Sequence, residues 1–430
     1  MSEASADVII IGAGMAGLTA ARALAEAGLH PLLLEARNRV GGRIHTQQVE
    51  GQALEIGAEF VHGRPPELWA MLQEAGLETS ERDGSQLCFE DGQLTACGTD
   101  GMDDSFRILA DLKTYSGPDL SFRQYLDQQG MPAEACGSVT GYVEGFNAAS
   151  AGEISLLSLG AQQAAEDAIE GDLVFHIRRG YNQLPLYLAS RLAEFKVPIH
   201  LQTIVQSIHW HPGHVDVIAS QGTFTASRVI VTLPLGVLQS NRVPITPAPE
   251  AVLAAVGQLR MGHVRRFTLL FREPFWQSLT PRPEAQTLSF LYSFTEMPPV
   301  WWTQHPEPGN AITGWVGGPR SEAYADFSAK QITGAAIASL ARIFQLDPSH
   351  LHGLLVTCAT HDWQQDPFAC GAYSYVASGG IAASHTLSQP VENTLYFAGE
   401  HTDTTGHWGT VHAAIRSGLR AANQIIERTA

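Results

Sequence analysis

The sequence predicts an α/β protein of two domains, in which a doubly wound parallel sheet is assembled from both ends of the chain and a mixed α+β domain is inserted into it. Three observations predict this. A strand, a glycine loop, a helix and a second strand follow one another within the first ~30 residues. A final strand and helix close the chain with no sheet of their own, and the stretch between switches repeatedly between helical and alternating patterns.

Asp7 to Ile11 is a continuous apolar run and reads as a fully buried strand. Gly12 to Gly17 reads as a tight loop, Leu18 to Ala27 as an Ala/Leu-rich helix ended by Gly28, and Pro31 to Glu35 as the second strand. This is a βαβ unit. From Glu67 to about Ser190 the pattern is mostly helical and irregular, with polar loops such as Gly98 to Asp104 and a helix-periodic segment from Leu184 to Leu192. Short strands are expected at Ile199 to Val205, His214 to Ile218, Arg228 to Thr232 and Arg266 to Phe271, before a Pro- and Trp-rich stretch through Trp301, Trp302 and Trp315. The strand Thr394 to Ala398 and the helix Val411 to Glu427 return to the first sheet. Residues 1–66, 195–245 and 385–430 are thus expected to form the first domain, and 67–194 and 246–384 the second.

The 430 residues are 44% hydrophobic, enough for a sizeable core, and the net charge of −17 disfavours nonspecific binding to nucleic acid or an anionic membrane while attracting cations. Cys88, Cys97, Cys136, Cys358 and Cys370 form no CxxC pair and no metal-ligand spacing, so they read as reduced thiols and no metal is expected. The apolar run at Val8 has no basic stretch before it and enters a glycine loop directly, and no window approaches the roughly 18 apolar residues of a membrane span. A cytoplasmic location is expected.

Gly12, Gly14 and Gly17, with Met15 and Ala16 between them, permit a tight turn, backbone approach to a pyrophosphate at the helix N-terminus, and close packing of helix on strand. Glu35, about 20 residues on, is placed to accept hydrogen bonds from a ribose diol, and its charge disfavours a 2′-phosphate. Ala36 and Arg37 follow, then a second glycine pair, Gly41 and Gly42, with Arg43, which bring more backbone and a guanidinium fork to the same pyrophosphate. That extension looks like the fingerprint of proteins that keep FAD permanently. The fold expected is therefore an FAD-binding, Rossmann-like sheet of the GR2 type.

These residues resemble the flavin amine oxidases, the family of monoamine oxidases, polyamine oxidases and flavin-dependent histone lysine demethylases. The resemblance covers most of the chain: EIGAEFVHG from Glu55 to Gly63, VIVTLPLGVL from Val229 to Leu238, FREPFW from Phe271 to Trp276, GAYSYVASG from Gly371 to Gly379, LYFAGEHT from Leu395 to Thr402, and GTVHAAIRSGLRAA from Gly409 to Ala422. It implies that Gly57, Ala58, Glu59 and Phe60 line the flavin ring, that the backbone of Val205 holds the adenine region, and that Gly399 and Glu400 contact the ribityl and phosphate end. Thr410 and Val411 then open a helix whose N-terminus faces the ring edge that gathers negative charge on reduction. The implied reaction is hydride transfer from the carbon next to an uncharged amine to flavin N5, hydrolysis of the imine to an aldehyde, and reoxidation by dioxygen to hydrogen peroxide. The partners implied are a small amine and O2, with neither nucleic acid nor membrane.

Trp363 and Tyr375 are the candidate aromatic walls, and His62 resembles a histidine at the mouth of many polyamine oxidase sites. The family's lysine near N5 falls at Arg266, which stays charged and has a planar fork, so a differently placed water and a lower reactivity with oxygen are expected. The covalent-flavin cysteine of monoamine oxidases falls at Ala372, so FAD is expected to be noncovalent; their cage tyrosine falls at Thr410. L-amino acid oxidases bind carboxylate through an arginine that would fall at Phe60, which disfavours them, and desaturases match GAYSYV and GTVHAA less well. A demethylase-like scaffold lacks its inserted helical hairpin here. Acidic residues at a funnel mouth would favour polyamines; Glu144, Glu166 and Asp167 are present but unplaced, the last two reading as solvated surface charge.

Overall fold

The computed structural model describes residues 6–97, 107–130, 133–279, 283–293 and 295–429; the expected polar loop Gly98 to Asp104 lies outside them. Five parallel strands form the first sheet, in the order Ile199–His200, Pro31–Leu34, Val8–Ile11, Arg228–Val231 and Leu395–Phe397. Its strands are apolar on both faces because both are covered. Val8, Ile10 and Leu33 pack against the helices Met15–Glu26, Gln183–Glu194 and Val411–Ile426, whereas Ile9, Ile11, Leu32 and Leu34 pack against a second sheet. That second sheet has the order Gly222–Ala226, His214–Ala219, Val205–His211 and Ile245–Thr246.

The first and last helices touch at Gly418, where a Cβ would fall 2.3 Å from the Ala16 carbonyl oxygen. One expected strand divides. Ile199–His200 ends in the parallel sheet, Gln202 turns at φ +54°, and Val205 begins a strand of the other sheet. Hydrogen bonds from Gln202 N to Arg37 O and from Thr203 N to Glu35 O fix that turn beside the second strand of the βαβ unit.

A seven-stranded sheet runs Leu355–Thr360, Val264–Phe271, Ala311–Gly317, Val300–Thr303, Leu288–Ser293, Ser85–Glu90 and Gln93–Ala96. The Pro- and Trp-rich stretch therefore contributes strands. Strand alternation divides its tryptophans: Trp301 joins Phe267, Leu269 and Ile312 under the helix Ala329–Phe344, and Trp302 faces the opposite way. The region read as mostly helical also supplies the hairpin Ser85–Glu90/Gln93–Ala96 and the strand Val174–Ile177, which lies between Phe60–His62 and Thr79–Glu81. Its helices, Phe122–Gln129, Ala133–Asn147 and Leu156–Asp167, form a separate apolar cluster with Tyr375.

The hairpin corrects the reading of the cysteines. Cys88 and Cys97 form a disulfide, with their Cα atoms 5.0 Å apart, because antiparallel pairing brings residues nine apart into diagonal register. Spacing rules for metal and redox motifs do not detect a cross-strand pair. Cys358 and Cys370 remain thiols. No helix among the described residues is long and apolar enough to cross a membrane.

Candidate active site

One cavity of about 1310 Å³ is lined by the glycine loop and by an aromatic chamber. In the loop the three glycines have different duties. Gly12 has φ +107°, and a Cβ there would meet Thr232 Oγ1 at 2.5 Å. Gly17 has no room, since a Cβ would lie 2.0 Å from the Gly12 carbonyl oxygen; it packs helix on strand and does not line the cavity. Gly14 has nothing within 4 Å and faces the open space. No side chain caps the helix that begins at Met15, so its N-terminus offers N–H groups and positive potential to an anion beside Met15 and Ala16.

Glu35 is 6% exposed, and each of its carboxylate oxygens accepts one backbone N–H, from Ala13 at 2.7 Å and Arg37 at 2.8 Å. Burial pushes its pKa up, and the two N–H groups and Arg37 work against that. Both oxygens keep a lone pair for a diol. The second glycine pair is tied to the first loop by Gly41 N to Ala13 O, 2.8 Å, and Gly42 and Ala36 line the cavity beside it. Arg37 is committed elsewhere: its fork grips Asp366 with two bonds of 2.8 Å, and Asp366 also meets His361 Nε2 at 2.6 Å. Val205 lines the same cavity.

Further along, Arg43 Nη1 donates to Ala372 O and to Glu400, at 2.8 and 2.7 Å. Glu400 is 3% exposed and also accepts from Ser374 Oγ at 2.5 Å and Gly409 N at 3.0 Å, which joins three distant segments. Gly399, at φ +136°, donates its N–H to Ser417 Oγ at 2.8 Å. Gly57 cannot carry a side chain, because a Cβ would sit 2.0 Å from the Arg43 carbonyl oxygen, and Ala58 N donates to that oxygen. Thr410 caps the last helix by accepting from Ala413 N at 3.1 Å, so Val411 starts a helix whose N-terminus faces the cavity. Trp363 is 4% exposed and is held by its indole N–H on Ile56 O at 2.8 Å.

The aromatic chamber is built by Phe60, Phe146, Phe290, Tyr292, Trp302, Trp315 and Tyr373. Phe60 lies 5.2 Å from Trp302, and Trp315 stacks on Tyr373 at 6.4 Å with planes 16° apart. Tyr373 donates its hydroxyl to Phe146 O at 2.7 Å. Tyr375 borders the cavity too, but its ring packs with the helical cluster and its hydroxyl donates to Glu153 at 3.1 Å. Burial raises the Tyr375 pKa to about 12. Phe290, Tyr292, Trp302 and Trp315 escape sequence reading because the face each presents depends on strand register; alternation around Trp301 and Trp302 was the available signal.

His62 lies between Phe60 and Phe146, 6.0 and 5.6 Å from their ring centres, and burial lowers its pKa to about 4. His412 also lines the cavity, is 2% exposed, and has no hydrogen-bond partner for Nε2 among the described residues. Burial, then His407 and Arg416, lower its pKa to about 2. Arg266 is 4% exposed on the strand Val264–Phe271; its Nη1 donates to Gly57 O at 2.7 Å and its Nη2 to Glu59. Glu166, Asp167, Glu170 and Asp172 also line the cavity, the last three exposed to solvent. Asp167 pairs with Lys113 and Glu170 with Arg64. Glu166 departs from the solvated reading: burial lifts its pKa to about 7. Glu144 instead accepts Ala151 N at 3.1 Å.

An open glycine cradle, an uncapped helix, a diol acceptor and a large cavity with aromatic walls suit an extended dinucleotide with a planar ring. The sequence model described as "Flavin containing amine oxidoreductase" matches residues 15–426. The chain belongs to this family. It is a flavin-dependent oxidoreductase acting on CH–NH groups, and its cofactor is FAD. Polyamine oxidase 3 of rice, Oryza sativa subsp. japonica, is 28% identical over 97% of this chain and 88% of its own length. Lysine-specific histone demethylase 1 homolog 2 of Arabidopsis thaliana is also 28% identical over 97% of this chain, which spans 58% of that relative's length. A structure of putrescine oxidase bound to putrescine superposes with a TM-score of 0.84 at 25% identity, covering 99% of this chain and 100% of that one. Cyclohexylamine oxidase from Brevibacterium oxydans IH-35A gives the same TM-score at 21% identity, over 99% and 100% of the two chains, and shares the fold.

Proposed function

We propose that this family member oxidises a diamine or polyamine, uses dioxygen as electron acceptor and releases hydrogen peroxide, with FAD bound noncovalently. The observation that carries the reading is one cavity whose lining includes the dinucleotide cradle, the aromatic chamber and the carboxyl groups of Glu166, Asp167, Glu170 and Asp172. When bound, FAD supplies the hydride acceptor for the carbon next to the amine nitrogen. The chain's own part is to bind, orient and exclude water. Gly12, Gly14, Met15, Ala16, Gly41 and Gly42 hold the pyrophosphate and Glu35 the ribose; Gly57 to Phe60, Trp363, Gly399, Glu400 and Thr410 with Val411 surround the ring.

Tyr373, Trp302 and Trp315 give the amine aromatic faces, which attract its cationic parts and shed water from the reacting carbon. His62 and His412, both neutral at pH 7, supply hydrogen-bonding groups without a competing positive charge. The acidic lining suits a second ammonium group, and polyamine and putrescine oxidases stand among the similar proteins. Ala372, next to Tyr373 where monoamine oxidases carry their linking cysteine, supports noncovalent attachment.

Anaerobic mixing with monoamines, polyamines and L-amino acids, followed at the flavin's visible band, tests the reading. Bleaching by di- or polyamines with recovery and peroxide in air is the expected result; no bleaching by any amine overturns it, and bleaching without recovery in air overturns the choice of acceptor. Release of FAD on denaturation tests the attachment. A cytoplasmic location belongs to this reading, and the Cys88–Cys97 bond pulls against it, since reducing compartments open such pairs. Alkylation of both thiols in intact cells is the supporting outcome; a protected pair there rejects the location.

A further inference from the structure

Arg266 brings a fixed positive charge to the wall of the cavity, yet that charge is not left alone. Its Nη2 donates to the Glu59 carboxylate, and Glu59 also accepts the Trp302 indole N–H at 3.0 Å. The other Glu59 oxygen lies 3.5 Å from His176 Nε2, and beyond His176 stands Arg82, whose Nη1 is 2.8 Å from the same nitrogen. Burial alone would raise the Glu59 carboxyl; Arg266 first, with Arg82 and the Trp302 hydrogen bond, outweighs it and holds its pKa below the usual value. Burial holds His176 neutral, with a pKa of about 4. Glu59 therefore lies as a negative charge between two guanidinium groups, with the buried Glu55 carboxyl, raised to about 7, as its acidic neighbour, and both Glu59 and Arg266 face the cavity. Arg266 Nε is buried with no hydrogen-bond partner among the described residues, so this guanidinium is not fully consumed by them.

We propose that Glu59 sets the reduction potential of the bound flavin through Arg266, by cancelling most of the field that the arginine's permanent charge would otherwise exert on the ring. Glu59 is thus a positioning residue, and the inference rests on the ring lying against Gly57 to Phe60 as proposed above. Two-electron reduction adds electron density to the flavin, so an uncompensated cation nearby favours the reduced state and a lone anion disfavours it. In a dry cavity wall such charges are screened far less than in water. A neutralised pair leaves the potential near the value set by the rest of the site.

The test is a cycle of four proteins: wild type, Glu59→Gln, Arg266→Gln and the double variant. Each is purified with FAD, and its flavin potential is measured by anaerobic titration against reference dyes, with neither amine nor oxygen present. Glu59→Gln is expected to shift the potential positive and Arg266→Gln to shift it negative. The double variant should return closer to wild type than either. It removes both members of the Arg266–Glu59 pair together, and Arg82 keeps its hydrogen bonds to Thr303 O and Ser289, so the double variant carries the test with whichever single variant retains flavin. Trp302→Phe removes a hydrogen bond from Glu59 without changing charge, and should leave the potential nearly unmoved. Two single variants that shift in the same direction, or a Trp302→Phe shift as large as theirs, would show a structural role and overturn the proposal. So would an unchanged potential throughout. Because no amine is used, failure of the amine panel leaves this result standing, and failure here leaves the amine reading intact.

Discussion

At the scale of single residues, Glu166 separates a diamine site from a monoamine site. It is partly buried at the end of the helix Leu156–Asp167, it lines the cavity, and unlike Asp167 and Glu170 it has no basic partner among the ion pairs of the described residues. Burial, with Asp167 beside it, holds its pKa near 7, so the carboxylate is fully formed only above neutrality. An ammonium drawn to it at pH 8 would gain about 1 kcal/mol, the scale of a partly solvated ion pair. Glu166→Gln should therefore raise KM for a diamine roughly fivefold at pH 8 while leaving KM for a monoamine of the same chain length unchanged. Steady-state kinetics on the matched pair measures this, and equal effects on both substrates would remove Glu166 from substrate recognition. Single residues are also where sequence reading reached its limit. Glu59 and Arg266 were both legible as cavity residues through their motifs, but they are 207 positions apart, and nothing local reveals that they form a pair.

At the scale of elements, the glycine loop and its helix show why some features read directly and others do not. Gly14 and Gly17 lie in one six-residue motif, and their spacing is enforced by a turn that the chain makes locally, so strand, loop and helix were legible within a few residues. Trp302 and Trp315 were not, because a one-residue change of register would turn either into the core where Trp301 sits. Cys88 and Cys97 were missed for the same reason, since pairing across a hairpin is invisible to spacing along the chain. The two glycines give opposite predictions. Gly17→Ala puts a Cβ against the Gly12 carbonyl, and overpacking of this kind costs about 1–3 kcal/mol. The apoprotein should lose thermal stability as well as FAD. Gly14→Ala meets nothing in the protein, so the apoprotein's melting temperature should stay put while FAD affinity falls by roughly tenfold or more, the new methyl occupying space meant for the pyrophosphate. Melting curves of both apoproteins, with FAD titrations, check the contrast; a stability loss in Gly14→Ala equal to that in Gly17→Ala would contradict the open cradle.

At the scale of the whole molecule, the site has a consequence for pH that no single residue carries. His45, His62, His176 and His401 are lowered to about 4, and His412 to about 2, in each case with burial as the largest cause. An unfolded chain would take up protons at these positions near pH 6.5, whereas the folded protein resists until about 4. Between those values the unfolded state binds more protons, so stability falls as pH falls, by up to about 1.4 kcal/mol per pH unit for each histidine. Three carboxyls act the other way. Burial raises Glu55 and Glu166 to about 7 and pushes Glu35 up as well, so above roughly 4.5 the folded state holds their protons more tightly, and they add stability as pH falls. With His263 and His407 also lowered, seven histidines against three carboxyls leave a net loss on acidification. Asp366, Glu59 and Glu400 extend it at still lower pH: burial would raise each, but basic partners and hydrogen bonds prevail and hold the carboxyl below its usual value, so acid breaks these contacts last. Thermal unfolding of the apoprotein from pH 8 to pH 5 should therefore show a melting temperature that is nearly flat above pH 7 and drops steadily below about 6.5. His412→Asn should flatten part of that slope. A melting temperature that rises between pH 6.5 and 5 would mean that the histidines are not held neutral and that the cavity wall is wetter than its burial implies.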